Sequence, residues 1–106
     1  MKVIYNKIIP FKGFVAINLF GVIFARKEYK PLSEQTINHE KIHTAQMKEL
    51  LYIGFYLWYL LSFLYLVIKY SPKKAYRNIC FEKEAYANEN DLSYLNNRKR
   101  FDWLKY

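Results

Sequence analysis

The chain of 106 residues contains a single cysteine, Cys80, which excludes an intramolecular disulfide framework and a multi-cysteine zinc site. Glycine and proline are scarce, at three residues each, and 53% of the residues are hydrophobic. These proportions exclude a collagen-like, linker-type or disordered chain. The length suits one domain with a small core, so we predict a single domain over residues 1–106.

Acidic residues are also in the minority. Nine aspartates and glutamates stand against 17 lysines and arginines, which gives a net charge of +8. Such a surface attracts anionic partners, and anionic lipid and nucleic acid are the usual two. The basic residues are scattered rather than clustered, which disfavours a nucleic-acid binder that stacks bases on its aromatic side chains.

Residues 13–25 form an apolar stretch behind three lysines, an arrangement also found in signal peptides and membrane anchors. The stretch is rich in Val, Ile and Phe, is interrupted by Asn18 and Gly21, and is followed by no small-x-small cleavage site. These features favour one bent strand, or two short ones, ending near Arg26. We therefore predict no signal peptide, and a cytoplasmic protein or one associated with the cytoplasmic side of a membrane.

A helix is predicted to begin near Ser33. Pro31 ends the preceding segment, the Ser33 hydroxyl can cap the first turn, and Glu34 suits the positive end of the helix dipole. Leu32 can pack on Ile37 as a hydrophobic staple. This helix carries both histidines of the chain.

The two histidines, His39 and His43, stand four residues apart, so their rings leave the same face of the helix. Glu40 follows the first histidine directly, which places its carboxylate beside a shared ion rather than in the ligand shell. This H-E-x-x-H pattern is typical of zinc metallopeptidases, in which two imidazoles hold Zn²⁺ and the glutamate takes a proton from the water that the metal activates. The alternative is a pair of structural or surface histidines.

A catalytic zinc needs a third protein ligand and leaves its fourth position to water. Because the chain has no third histidine, the candidates are carboxylates or the single cysteine. Residues 81–89 are predicted to lie on a helix that Ser71 caps and Pro72 begins. They include Glu82 and Glu84, each followed three residues later by an alanine that permits close helix packing.

The motif His39-Glu40-x-x-His43, followed by a glutamate-bearing helix, resembles the gluzincin metallopeptidases, whose third ligand is a glutamate in an E-x-x-x-D-like motif. It is similar in particular to the small minigluzincins and to the E-x-x-A-D segment of membrane-bound CAAX-type proteases. The resemblance covers residues 33–90. It implies a minimal zincin-like domain in which a strand, at the position of residues 14–26, lies beside the active-site helix and binds extended substrate.

Two registers fit the glutamate half of that resemblance. In the first, which we favour, Glu82 falls on the ligand, Ala85 on the small residue and Tyr86 on the usual aspartate. In the second, Glu84 falls on the ligand and Asn88 on the aspartate. Loss of the aspartate in the first register removes a carboxylate that would support a histidine from behind.

Further candidates for the cleft are polar residues near these positions. Gln46, a turn beyond His43, is a candidate to line the cleft, although a packed or solvated glutamine is the favoured interpretation. With no histidine left to stabilise an oxyanion, Tyr86, Tyr76 and Arg77 are the candidates for that role.

Leu50–Ile68 contains no ionisable acid or base except tyrosine, and it has the length of a bilayer-spanning helix. One straight helix from His43 to Tyr70 would end about 40 Å from the metal, and the chain from Tyr70 to Glu82 recovers only about 28 Å. A bilayer crossing is therefore nearly incompatible with a Glu82 ligand. We predict a break near Gly54, with the segment buried in the core or lying in an anionic membrane face; a true span is the alternative.

We therefore expect a mainly helical α+β fold: a short N-terminal strand or hairpin, an active-site helix, a long apolar helix and a glutamate-bearing helix. The predicted function is a zinc-dependent metallopeptidase or hydrolase acting on a peptide or protein substrate. Glu40 is the general base, and Zn²⁺ is held by His39, His43 and Glu82. The alternative is a small membrane-associated protein with a structural or vestigial zinc site.

Overall fold

The N-terminal quarter of the chain folds into a small sheet. The computed structural model describes residues 2–106. Strands β1 (Val3–Asn6), β2 (Ala16–Leu19) and β3 (Val22–Arg26) are arranged in the order β1-β3-β2. β3 pairs in parallel with β1 and antiparallel with β2, so β3 is the central strand.

β2 and β3 form a tight hairpin. Phe20 and Gly21 at its turn have φ values of 53° and 90°, and the side-chain oxygen of Asn18 accepts a hydrogen bond from the Gly21 amide at 2.9 Å. Of the two predicted forms, one bent strand or two short ones, the stretch adopts the second and ends at Arg26. β1 was not predicted, because four residues are too few to establish a strand period.

Helix α1 (Glu34–Glu49) begins where the sequence indicates. The Ser33 hydroxyl accepts a hydrogen bond from the Thr36 amide at 3.1 Å. Leu32 is buried, and Ile37 packs against the cluster that contains it, as expected of a hydrophobic staple.

The apolar segment forms helix α2 (Ile53–Val67), which is bent by 109° relative to α1. The bend lies at Leu51 and Tyr52, which have φ values of 55° and 62°. The break predicted near Gly54 is therefore present, two to three residues before that glycine. Gly54 lies in the first turn of α2, where an added Cβ would be 3.3 Å from the Cβ of Leu50, so glycine permits the close approach at the bend.

No single helix among residues 2–106 combines the length and the apolar character needed to cross a membrane. α2 is also not a helix buried on all sides. Its inner face packs on the core, and only Phe55 is fully buried along its length.

The predicted helix from Ser71 onward is divided in two. α3 (Pro72–Asn78) is capped by Ser71, whose hydroxyl accepts from the Lys74 amide at 3.4 Å. α4 (Cys80–Asn88) follows after Ile79, which is extended, with ψ at 134°. The prediction of one continuous helix is therefore wrong. Ile79 is fully buried, so its anchoring in the core coincides with the point where the chain turns.

The chain ends in a short helix α5 (Tyr94–Asn97) and a 3-10 turn at Asp102–Lys105. The turn closes the core beneath α2. This core consists of Met47, Phe55, Ile79, Phe81 and Trp103. The mainly helical α+β class is confirmed.

Candidate metal centre

Three side chains from α1 and α4 converge on one point. The Nε2 atoms of His39 and His43 lie 3.1 Å apart, and each lies 3.2 Å from Oε1 of Glu82. All three residues are buried, and their ligand atoms form a group that could hold a metal ion.

The spacing of these three atoms suits a small divalent cation. In a tetrahedral zinc site, metal–ligand distances of about 2.0–2.1 Å place neighbouring ligand atoms about 3.3 Å apart. The measured separations of 3.1 and 3.2 Å are close to that value. Two imidazoles and one carboxylate are also a donor set that zinc accepts.

His43 is oriented from behind by Gln46. The Nδ1–H group of His43 donates to Oε1 of Gln46 at 2.8 Å. The Gln46 amide group donates to the Phe81 carbonyl at 3.0 Å and to Glu84 at 2.9 Å, so its oxygen must face the histidine. In the neutral ring, where Nδ1 carries the one proton, Nε2 therefore presents its lone pair to the shared point.

Gln46 is therefore fully buried behind the histidine, which is the packed alternative, and does not line the cleft. Its amide is held by Glu84, which also accepts from Tyr94 at 2.6 Å and from Nε of Arg98 at 2.5 Å. Arg98 bridges on to Glu49 at 2.7 Å. Glu84 thus pairs with Arg98 and is connected to His43 only through Gln46, so it is not a member of the histidine group.

His39 is oriented by Glu89, whose Oε1 accepts from Nδ1 at 2.9 Å. Gln35 donates to the other oxygen of this carboxylate. This support was missed, although the sequence carries a signal for it. Glu89 lies seven residues, or two helical turns, beyond Glu82 and so follows it on the same face.

Asn38 fixes the end of α4 against α1. Its amide donates to the carbonyl oxygens of Asn88, Glu89 and Asp91, at 3.3, 2.9 and 3.0 Å. These bonds tie the carbonyl end of α4 and the turn after it to α1. They hold Glu89 at the level of His39.

Glu82 is oriented by a tyrosine of the apolar helix. The Tyr59 hydroxyl donates to Oε2 at 2.8 Å, which leaves Oε1 for the histidines. Burial, together with the Glu82 charge, raises the pKa of Tyr59 far above its usual range, so the hydroxyl stays a donor. The contact was missed, because nothing in an apolar run distinguishes Tyr59 from its neighbouring aromatic residues.

The charges of His43 and Glu82 are coupled. Burial acts to lower the pKa of His43, but the charge of Glu82 and its hydrogen bond outweigh burial and raise that pKa to about 9. Burial acts to raise the pKa of Glu82, but the charge of His43 and the hydrogen bonds from both histidines hold it well below its usual range. The pair therefore binds a proton where a metal ion would compete for it.

Glu40 lies beside this group. Asn18 of β2 donates to its main-chain oxygen at 2.9 Å, which joins the sheet to α1 at this residue. Within residues 2–106 its carboxylate accepts no hydrogen bond. Burial raises the pKa of Glu40, although the charges of His43 and His39 oppose the shift.

The oxyanion candidates lie on one side of His39. The Tyr86 ring meets the His39 ring edge-on at 4.5 Å between centroids, and its hydroxyl lies 3.3 Å from that of Tyr76. The Arg77 guanidinium lies over the Tyr86 ring, 3.6 Å from its centroid. Cys80 is not a member of the histidine–glutamate group and packs against the core beneath α2.

No protein-family model matches the chain, and comparisons with curated proteins and with solved structures found no match.

Proposed function

We propose that the chain is a zinc-dependent hydrolase of the metallopeptidase type. The observation that carries this proposal is the meeting of His39, His43 and Glu82 at 3.1–3.2 Å, with the buried Glu40 next to His39 on α1. His39 and His43 would hold the ion through Nε2, and Glu82 through Oε1. The resemblance of H-E-x-x-H and its later glutamate to gluzincins supports the same assignment.

The bound zinc would act as a Lewis acid toward a substrate carbonyl and would lower the pKa of a water molecule toward neutrality. Three residues fix the orientation of the ligand side chains. Gln46 and Glu89 hold the two Nδ1–H groups, so both Nε2 lone pairs face the same point. Tyr59 holds Oε2 of Glu82.

Glu40 is the general base in this proposal. Its carboxylate has no hydrogen-bond partner among residues 2–106, so both oxygens are available to take a proton from water and to pass it to the leaving amine. In the metal-free protein, burial raises the pKa of Glu40, and a bound zinc ion would oppose that shift and keep the carboxylate ionised.

A second function is favoured by one observation. His39, His43 and Glu82 are all buried, and structural zinc sites are closed whereas catalytic ones keep an open position. In this alternative the ion joins α1 to α4 and Glu40 has no chemical role.

Glu40→Gln separates these functions. Zinc content and hydrolysis of a casein substrate are measured on the zinc-loaded protein, with Glu34→Gln on the exposed first turn of α1 as the matched control. A hydrolase loses about 10²- to 10⁴-fold in rate on Glu40→Gln, retains its zinc, and is unaffected by Glu34→Gln.

Zinc binding with equal hydrolysis by the wild type and Glu40→Gln would leave the structural function. A protein that binds no zinc, or that retains it in the double variant His39→Ala/His43→Ala, would rule out both.

A further inference from the structure

The outward side of α2 is an uninterrupted apolar surface. Its side chains are between 50% and 83% exposed, whereas Phe55 on the inner side is 3% exposed. We name this surface the α2 outer face. It consists of Ile53, Leu57, Leu60, Leu61, Leu64 and Ile68.

The spacing of these residues is three to four positions, so they form one stripe along the helix. Trp58 and Tyr65, which are 44% and 59% exposed, border the stripe. Soluble proteins seldom leave such a contiguous apolar patch open, and where they do it marks an interaction site.

The charge around this surface is of one sign. Residues 50–81 contain three lysines and one arginine and no acidic residue. The Lys69 ammonium lies 4.9 Å from the Tyr65 ring centroid, and the Lys74 ammonium lies 5.0 Å from that of Tyr70. Two cations and two tyrosine rings therefore meet at the carboxyl end of the α2 outer face.

We propose that the α2 outer face binds the surface of an anionic lipid bilayer, with α2 lying in the interface. The apolar stripe would enter the acyl boundary, while the tyrosines and lysines would contact the headgroups. This assignment is independent of the metal centre.

Charge complementarity selects lipid over a second copy of the chain. If two α2 outer faces packed together, the segments 50–81 would supply cations and no carboxylate to pair with them. Anionic headgroups neutralise those cations, and each lysine near such a surface adds about fivefold to binding.

Flotation with vesicles tests the proposal. Vesicles of phosphatidylcholine alone are compared with an equimolar mixture of phosphatidylcholine and phosphatidylglycerol. We expect the wild type to bind the mixed vesicles, with an affinity that falls as salt rises. Leu57→Glu/Leu61→Glu should weaken this binding by at least about a hundredfold, because two leucines that would enter the acyl boundary are lost.

The matched control makes the same leucine-to-glutamate substitutions outside α2. Leu92 and Leu104 are exposed leucines outside α2, so Leu92→Glu/Leu104→Glu should bind mixed vesicles like the wild type.

Because charged substitutions on α2 can disturb folding, a second variant alters only exposed lysines. Lys69→Gln/Lys73→Gln/Lys74→Gln should weaken binding to the mixed vesicles by roughly a hundredfold and leave zinc affinity unchanged.

Three results would overturn the proposal. The first is a wild type that binds neither kind of vesicle. The second is undiminished binding by both the leucine and the lysine variants. The third is a dimer in sedimentation equilibrium that Leu57→Glu/Leu61→Glu disrupts while vesicles capture nothing, which would identify a second copy as the occupant.

Discussion

Glu82 and Glu84 stand two residues apart on α4, and both are buried, at 3% and 0% exposure. Their surroundings differ in kind. Glu84 faces the guanidinium of Arg98, a cation that the chain itself provides. Glu82 faces two imidazoles and the Tyr59 hydroxyl, none of which carries a fixed positive charge.

The difference indicates where an external cation is needed. A buried carboxylate is tolerated when a charged partner and hydrogen bonds compensate for lost hydration. Arg98 meets this requirement for Glu84 at every ordinary pH. For Glu82 it is met only by a proton on the histidines or by a metal ion, because both Nδ1–H groups already donate elsewhere.

The largest expected effect comes from exchanging each glutamate for glutamine. Glu82→Gln removes a charged ligand and should lower zinc affinity roughly a thousandfold, beyond the 10- to 100-fold typical of residues that only support a ligand. Glu84→Gln weakens the pair with Arg98 and should cost about 3 kcal/mol of unfolding free energy, with zinc affinity held within about tenfold. Chelator competition and urea denaturation measure the two quantities.

These paired variants control each other, since both replace a buried carboxylate with its amide on one helix. Equal losses of zinc affinity in the two variants would contradict the distinction drawn between them.

A second prediction concerns pH. Because the pKa of His43 is about 9, zinc must displace a proton from it at neutral pH. Apparent zinc affinity should therefore rise about tenfold per pH unit from pH 6.5 upward and level off near the raised pKa. Isothermal titration in several buffers checks this, and a flat affinity would show that His43 binds no proton.

The free energy of unfolding of the metal-free protein should instead fall as pH rises above 6.5. The raised pKa of His43 stabilises the fold fully below its ordinary value of 6.5, and this contribution is lost as pH rises toward 9. The lowered pKa of Glu82 contributes above its ordinary value of 4.5 and is lost as pH falls. The pair therefore supports the metal-free fold most between those two values, which urea denaturation in chelator can measure.

A third prediction tests the bond behind His43. Gln46→Met keeps a similar volume but removes the oxygen that accepts from Nδ1–H, so the ring loses its fixed tautomer. Zinc affinity should fall about 10- to 100-fold. The nitrogen chemical shifts of His43 should show a mixture of tautomers in the variant. An unchanged affinity with a single tautomer would rule out this role for Gln46.

The smallest expected effect is that of Tyr59→Phe, which removes the donor to Oε2 of Glu82 and should weaken zinc binding severalfold. Tyr56→Phe is the matched control, because its hydroxyl contacts Asn18 and Phe20 rather than Glu82. Equal effects of the two variants on zinc affinity would remove Tyr59 from the site.

The parts of this fold that were predictable are those with local signals. Ser33 marks a helix start through one hydroxyl, and the spacing of His39 and His43 fixes a shared helix face. The need to bring Glu82 back to the histidines also required a break in the apolar segment, and a break of 109° is present.

The parts that were not predictable depend on tertiary packing. Leu51 and Tyr52 adopt positive φ values that neither residue favours alone, so the sequence pointed to the nearby Gly54 instead. Tyr59 resembles every other aromatic residue of α2 until α4 packs beside it. The division between α3 and α4 at Ile79 similarly reflects core burial rather than a proline or glycine.

His39 and Glu82 are 43 positions apart, and the chain between them includes all of α2 and α3. A cation shared by both residues would tie that whole segment into a closed ring, in the manner of a removable cross-link. For a ring of this size, such a tie lowers the entropy of the unfolded chain by an amount worth about 4 kcal/mol. Loss of the ion would remove this tie, so the metal content would set how strongly these 43 positions, about two fifths of the chain, resist unfolding.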